Sequence, residues 1–432
     1  MLTLIISALA CIGTITIALL KPQVKLKGYD LSIFFFPALL GALLLIFSGQ
    51  LSWAQVSSGL TATADINPLK ILVLFLSMTL ISVFLDETGF FRYLANYTVQ
   101  RFGGSQIKLF IVFYCLVSAL TVFTSNDVVI LTFTPFICYF TKHAKVNPIP
   151  YLVSEFVAAN TASTLLIIGN PTNIYLGTMA GIDFLSYLQV MVIPTIFGVI
   201  TAFLVLFMIF YKNLSLPINV SSEKIEIEEK FLLLYSLIVL SLCTLILTIS
   251  SYIQIPMWFI ALMGICILTL GVIIRSIVML KKPVELIKTM SRTPWEVIPL
   301  VLSMFIIVLA LSSSGITVRI ADFLNTGNTI FTYGIAATII ANLMNNIPMS
   351  VLFSSVVTVG GHELGAVYAA VIGSNIGAYL TPIGALAGVM WLGILRGKGI
   401  DFGFTKFVMY GFCVAIPTLS AMLLGLYIVM KF

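Results

Sequence analysis

A chain of 432 residues that is 60% hydrophobic and 9% charged, with a mean hydropathy of +1.14, carries more apolar surface than a soluble core of that size can bury. That excludes a soluble enzyme or nucleic-acid-binding domain, and the formal net charge of +6 reads as a topology signal because the basic residues fall in short loops between apolar runs. The six cysteines (Cys11, Cys115, Cys138, Cys243, Cys266, Cys413) sit inside apolar segments with no C-x-x-C spacing, so they read as small packing residues rather than disulfide partners or zinc ligands.

A bilayer-spanning helix needs about 20 largely apolar residues. Such runs recur at 2–20, 31–49, 69–88, 150–180, 187–211, 231–250, 257–278, 295–314, 364–393 and 404–430, which predicts about ten transmembrane helices in an all-α polytopic membrane protein. The first run contains Ala8-Leu9-Ala10, which mimics a cleavage site, but no basic residue precedes it and the run continues to Leu20, so a retained span is expected. The stretches 107–140 and 328–359 differ from the rest. Their apolar arms flank Ser125-Asn126-Asp127 and Asn345-Asn346 and are only about 16 and 13 residues long, short of a crossing, which predicts two re-entrant hairpins with polar tips near mid-membrane.

Placing the loop of Lys21, Lys25 and Lys27 in the cytoplasm collects 19 of the 22 lysines and arginines there, Arg92, Lys288, Arg292 and Lys398 among them, and leaves Lys70, Arg319 and Lys431 outside. Both termini then lie outside, the first hairpin opens from the cytoplasm and the second from the opposite side. Leu76-Ser77-Met78 recurs as Leu302-Ser303-Met304, with Gly89 answering Gly315 at the same offset. Asn126-Asp127 pairs with Asn345-Asn346. Asn160-Thr161-Ala162-Ser163 through Gly169-Asn170-Pro171-Thr172-Asn173 pairs with Ser374-Asn375-Ile376-Gly377 through Thr381-Pro382-Ile383-Gly384. The ordered matches predict two inverted repeats around a midplane site, the arrangement that gives alternating access. The expected division is an extra N-terminal span and loop (1–30), a first repeat (31–212), a charged linker (213–230, with its charges in Ser221 to Lys230) and a second repeat (231–432).

Gly169-Asn170-Pro171 and Thr381-Pro382-Ile383-Gly384 each interrupt an apolar stretch, and proline there removes a backbone donor and clashes with the preceding turn. Two broken helices are expected, with carbonyls and half-helix ends free to meet a solute. Asp127 is the only acid at a predicted hairpin tip, and an ionisable group at membrane depth is a functional candidate for carrying a proton or binding a cation. A carboxylate bonded to the amides of its own turn is the structural alternative. Asp86 and Glu87, at a helix end, and Glu155, near another helix start, read as structural or interfacial. His143 and His362 fall in loops and are given no metal or catalytic role.

Phe84-Leu85-Asp86-Glu87-Thr88-Gly89-Phe90-Phe91, Met344-Asn345-Asn346-Ile347-Pro348 and Val367-Tyr368 through Thr381-Pro382-Ile383-Gly384-Ala385-Leu386-Ala387 to Trp391-Leu392 closely resemble ArsB-type arsenite/antimonite efflux permeases, over nearly the whole chain. These belong to a superfamily with NhaD-type sodium/proton antiporters and sodium-coupled dicarboxylate symporters. The resemblance implies a substrate or ion site made of Ser125, Asn126, Asp127, Asn345 and Asn346 from the tips and Asn160, Asn170, Thr172, Asn173, Asn375 and Thr381 from the broken helices. Two acids and a lysine of the family pattern are missing: Asn160 stands where an acid precedes Thr-Ala-Ser, and Ser374-Asn375-Ile376-Gly377-Ala378-Tyr379 where Cys-Asp-Leu-Gly-Pro-Lys is found. The implied activity is proton-coupled antiport of arsenite or antimonite across the cell inner membrane. A sodium/proton antiporter and a sodium-coupled carboxylate or inorganic anion symporter are the alternatives. No enzyme chemistry, metal or cofactor is expected beyond a proton or sodium gradient. The expected partners are a small solute and the lipid bilayer, with no nucleic acid, and the sequence leaves a homodimer and a soluble ATPase partner open.

Overall fold

In hydrocarbon a backbone can satisfy its own polar groups only as helix or closed barrel. The computed structural model describes residues 1–20, 23–26, 29–61, 68–218, 227, 229–250, 252–361 and 363–431, and helices account for nearly all of them. Lys21, Lys27, Lys224, His362 and residues 221–226 of the expected linker lie outside the described residues. The first ten helices are α1 (Leu2–Leu20), α2 (Phe36–Phe47), α3 (Trp53–Thr61), α4 (Pro68–Glu87), α5 (Phe90–Phe102), α6 (Gln106–Phe123), α7 (Asn126–Ala144), α8 (Ile149–Ala162), α9 (Pro171–Met179) and α10 (Phe184–Leu214). The second ten are α11 (Lys230–Thr248), α12 (Met257–Val278), α13 (Val284–Arg292), α14 (Val297–Ser313), α15 (Ile316–Leu324), α16 (Thr329–Met344), α17 (Asn346–Val359), α18 (Leu364–Gly377), α19 (Leu386–Gly397) and α20 (Phe404–Lys431). A short antiparallel pair, β1 (Gln23–Leu26) with β2 (Tyr29–Ser32), lies in the loop between α1 and α2.

The protein is an all-α polytopic membrane protein. Ile193, Ile196, Ile200, Leu204 and Met208 are exposed at helical spacing along α10, and Leu234, Ile238, Leu242 and Leu245 along α11, stripes that only a lipid phase can cover. Seven helical stretches among the described residues are long and apolar enough to cross a membrane. The predicted spans differ from these in five places: Leu2–Ile17 falls among the shorter apolar helices, Gln106–Phe123 of the first hairpin is among the long ones, and three predicted runs are not single long helices. The run 31–49 contains only α2, whose 12 residues reach about 18 Å against a hydrocarbon core of about 30 Å. Pro37 can open that helix but not sit inside it, and the residues before it pair as strands. The runs 150–180 and 364–393 are each two helices separated by a tight turn, as the proline signals predicted. The arms of the first hairpin, α6 and α7, have 18 and 19 residues, longer than their apolar runs, whereas α16 and α17 have 16 and 14. Arm length therefore separates a hairpin from two crossings only for the second pair.

The order of elements repeats: α1 to α10 are answered one by one by α11 to α20, down to a 3-10 turn in the same place, Ile167–Gly169 and Pro382–Gly384. The neighbours repeat too. α6 and α10 flank α8 as α16 and α20 flank α18, while α7 packs on α19 and α17 on α9. Between halves the packing is crossed: α12 and α13 lie on α4 of the other half, and α2 lies on α14. α1 thus corresponds to α11, so residues 1–30 have a counterpart rather than standing apart as an extra span. Gly89 (φ 83°) and Gly315 (φ 73°) make equivalent left-handed turns after α4 and α14.

α8 and α18 form the core. Every residue from Pro150 to Ala162 and from Gly365 to Gly377 is buried, so these helices are enclosed on all faces. Beyond each, the chain folds back so tightly that a Cβ on Gly169 would collide with the Ser163 carbonyl, and one on Gly384 with the Gly377 carbonyl. The backbone at both breaks is closed against itself through glycine. Gly384→Ala should therefore lower stability by about 1–3 kcal/mol, while Gly393→Ala, where a Cβ meets open space, stays within about 0.5 kcal/mol. Thermal unfolding of the two purified variants in detergent checks this, and equal midpoints would refute the close approach.

Candidate substrate site

A break inside a buried helix strands carbonyls and amides that have no water to turn to. In the first half Asn173 answers this need: its Nδ2 donates to the carbonyls of Ser163 (2.8 Å) and Leu166 (3.2 Å). Asn170 caps α9 through Oδ1, which accepts from the backbone N and the hydroxyl of Thr172, both at 3.1 Å. In the second half Asn342, which sequence reasoning passed over, donates to the carbonyls of Thr338 (2.8 Å) and Gly377 (3.0 Å) and accepts from the Thr381 hydroxyl at 2.6 Å. A lone asparagine in the otherwise apolar arm of the second hairpin was the signal that could have found it.

The two halves meet at Asn375. Its Oδ1 accepts from Asn170 Nδ2 (2.8 Å) and from the Ser163 hydroxyl (3.1 Å), and its Nδ2 donates to Asn173 Oδ1 (2.7 Å). Asn375 and Asn160 occupy the same position in α18 and α8, and each donates to the carbonyl one turn back, that of Val371 or Phe156. Asn160 Oδ1 in turn accepts from Asn126 Nδ2 at the first tip (3.0 Å). Asn126, Asn160, Ser163, Asn170, Thr172, Asn173 and Asn375 are thus one buried, hydrogen-bonded chain of uncharged groups, running from the first tip through the first break to the second half. Asn345, held at φ 76°, donates to the Ile383 carbonyl (3.2 Å) and forms with Thr381 and Asn342 a separate group at the second tip.

The sequence pairing of the tips shifts by one residue. Ser125 and Asn345 both stand at the N-cap, so Asn126 answers Asn346 and Asp127 answers Ile347. Asp127 lies in the first turn of α7, at the positive end of that helix, with no hydrogen bond or ion pair among the described residues. Ser125 and Asn346 are buried at their tips. Two buried polar atoms in this region have no partner, Asn126 Oδ1 and the Ser374 hydroxyl. In front of the tips the structure is shut. The gap between Met78, Thr79, Ser82, Ser125 and Pro171 has no room for a water molecule, and the one between Asn345, Pro348, Ile383 and Leu386 has about 20 Å³.

One large cavity, about 940 Å³, brings together Arg92, His143, Lys288, Arg292 and Lys398 with Asp86 and Glu87, and its inner wall reaches Leu131, one turn past Asp127. Asp86 and Glu87 are structural, as expected, since Arg292 Nη2 lies 2.7 Å from Asp86 and Nη1 bonds Glu87. That pairing sets the C-terminal end of α4 beside the entry to its counterpart α14. Glu155 departs from the interfacial alternative of the sequence reading. It lies midway along α8, 2% exposed, with its carboxyl oxygens 2.9 and 3.1 Å from the Thr134 hydroxyl, and is no interfacial residue. Its depth comes from the packing of other helices and left no mark in the local sequence. Among the described residues no group of three or more His, Cys, Asp or Glu could hold a metal ion.

Comparison with known proteins places these observations. The chain is 25% identical over 409 residues to an arsenical pump membrane protein of Escherichia coli, covering 90% of this chain and 92% of that one. It is 24% identical over 367 residues to the arsenical pump membrane protein of Yersinia enterocolitica, covering 82% and 84%. The fold matches the Alcanivorax borkumensis YdaH transporter (TM-score 0.59, 13% identity, 100% of this chain and 98% of that one) and Neisseria gonorrhoeae MtrF (TM-score 0.53, 13% identity, 99% and 94%). The resemblance to arsenite permeases therefore holds over most of the chain, and the protein is a membrane transporter, not an enzyme. A family model described as citrate transporter matches residues 33–367, more than half of the molecule, and the chain belongs to that family.

Proposed function

We propose that the protein is a secondary transporter that works by alternating access and exports arsenite or antimonite, as the neutral trihydroxide, in exchange for protons across the cell inner membrane. The observation that carries this reading is the buried chain of amides and hydroxyls centred on Asn375. It joins the two halves, and at its edge Asn126 Oδ1 and the Ser374 hydroxyl are left unpaired to meet an uncharged polyhydroxyl solute, with no lysine, arginine or histidine among the described residues hydrogen-bonded into it. The relatives named arsenical pump membrane protein point to the same class of solute. Re-entry of the two hairpins and inversion of the repeats belong to the same proposal. They are supported by the Arg292 pairing, since equivalent helices whose opposite ends lie side by side run in opposite directions. The gathering of Arg92, Lys288, Arg292 and Lys398 around one cavity supports a cytoplasmic face at that end.

A second reading is symport of a carboxylate anion with a cation. The family description favours it, as does the basic cavity, which would draw anions toward the first tip. Everted vesicles separate the two, with sodium/proton exchange measured alongside. Arsenite uptake driven by an acid interior is the expected result, and loss of the gene should lower growth on arsenite. Citrate or sodium flux without arsenite flux, together with unchanged arsenite tolerance, would replace the first reading.

Two substitutions test the site. Asp127→Asn is expected to cut proton-driven flux by about tenfold or more, and full gradient-driven flux in that variant would make Asp127 a structural carboxylate. Asn375→Ala leaves the amides of Asn170 and Asn173 without their partner, and should lower stability by about 1–3 kcal/mol and abolish flux. A variant that unfolds at the parent temperature and still transports would separate Asn375 from the site.

A further inference from the structure

Glu155 is a carboxyl enclosed where three helices meet: α8 that carries it, α7 from its own half, and α19 from the other. A carboxylate has no inexpensive place in such surroundings unless a cation or several donors meet it. No lysine, arginine or histidine pairs with it among the described residues. From α7 it faces the Thr134 hydroxyl and the Cys138 thiol, and from α19 the Trp391 indole; the nearest base is Lys398, on the far side of Cys138, and it forms no ion pair with the carboxyl.

The proton count around Thr134 is informative. Its hydroxyl oxygen lies 2.6 Å from the Ile130 carbonyl and 2.9 and 3.1 Å from the Glu155 oxygens, yet a hydroxyl has one hydrogen to give. If Thr134 donates to Ile130, the shorter contact, then the hydrogen between Thr134 and Glu155 belongs to the carboxyl. A neutral Glu155 completes this chain and a carboxylate leaves it one hydrogen short. The Trp391 N–H, buried with its ring 5.2 Å from Phe156, faces the carboxyl from α19 without a well-directed hydrogen bond in this arrangement. It is a donor that a charged Glu155 would draw in.

The equivalent place in the second half has no acid. By position in their helices, Thr134, Glu155 and the α19 contact Trp391 are answered by Ser354 of α17, Ala370 of α18 and Leu176 of α9. The scaffold is duplicated and the carboxyl is not. A group so placed changes the contact between halves when its charge changes, because α7 and α8 belong to one half and α19 to the other.

We propose that Glu155 is a proton-binding site of the transport cycle, neutral in this closed arrangement and emptied when α19 moves off α7 and α8. Emptying breaks the carboxyl O–H bond, leaves the electron pair on Glu155 and passes the proton to water admitted by that movement. The site deepens the proton coupling read above, and rests on that reading for its transport arm alone. Two measurements test it. Infrared spectra of the protein in lipid at neutral pH should show a carboxylic acid C=O band that Glu155→Gln removes and that Thr134→Val, which keeps the acid but takes away its partner, moves to higher frequency. A band unchanged by both substitutions would overturn the proposal whatever the solute. In proteoliposomes with labelled arsenite, Glu155→Gln should lower the ratio of gradient-driven accumulation to solute exchange by about 5- to 150-fold, the span of one coupling interaction. A ratio equal to that of the parent would overturn the coupling role. Absence of arsenite movement in the parent would instead overturn the functional reading and leave the infrared result to decide Glu155.

Discussion

The backbone cannot be broken inside an apolar phase without replacing every hydrogen bond that the break removes, and each failure costs on the order of several kcal/mol. α8 and α18 are both buried on all sides and both interrupted, so the architecture depends on how those carbonyls and amides are met. The answer is side-chain amide. Asn173 covers Ser163 and Leu166, Asn342 covers Thr338 and Gly377, and Asn375 ties the first break to the second half. Much of the asparagine that reads as a binding set therefore holds the protein in shape. The groups left with unused capacity are Asn126 Oδ1, the Ser374 hydroxyl and Asp127, all around the first tip and the neighbouring turn of α18.

This division explains which parts of the molecule were legible in the sequence. Proline and glycine beside Asn and Thr in a long apolar run have a local cause and a local effect, so both breaks and both tips could be located from residues alone. The repeat was legible where it is carried by turns, at Gly89 and Gly315, and at the breaks. Helix length was less so: α2 ends early because Pro37 and the strand pair before it set its start, and α7 continues past its apolar run through Thr141 and Lys142. The crossed packing of α12 and α13 on α4 and of α2 on α14 has no signature in either segment, being a relation between halves. The depth of Glu155 was illegible for the same reason. One acid in a helix looks alike at an interface and at a core, and only the surrounding helices distinguish the two.

The halves share a scaffold and differ in their chemistry. Asp127 is answered by Ile347 and Glu155 by Ala370, while Asn160 is answered by Asn375 and Gly169 by Gly384. Duplicated are the buried asparagine of α8 and α18 and the glycine of each break, while the amides that meet the stranded carbonyls, Asn173 and Asn342, stand at unlike positions. Asp127 and Glu155 have no acidic counterpart, and both lie on or against α7. Duplication supplies two positions related by the fold, and acids in only one of them would make the two conformations of the proposed cycle unequal in charge.

α7 connects these acids to the open side of the molecule. Its tip carries Asp127, one face lines the basic cavity with Leu131, Thr132, Pro135 and Tyr139, and the adjoining face, through Thr134 and Cys138, meets Glu155. Pro135 sits inside the helix and supplies no N–H to the carbonyl of Leu131, which weakens the backbone between the tip and the Glu155 contact. A solute that enters the cavity and displaces the tip therefore acts on a segment joined to the rest of α7 at its softest point. The Thr134 hydroxyl, which lies within hydrogen-bonding distance of both Glu155 oxygens, sits next to that point. On the proposed cycle, solute at the tip and a proton at Glu155 would be linked through a single helix, with no chain of contacts across the core required.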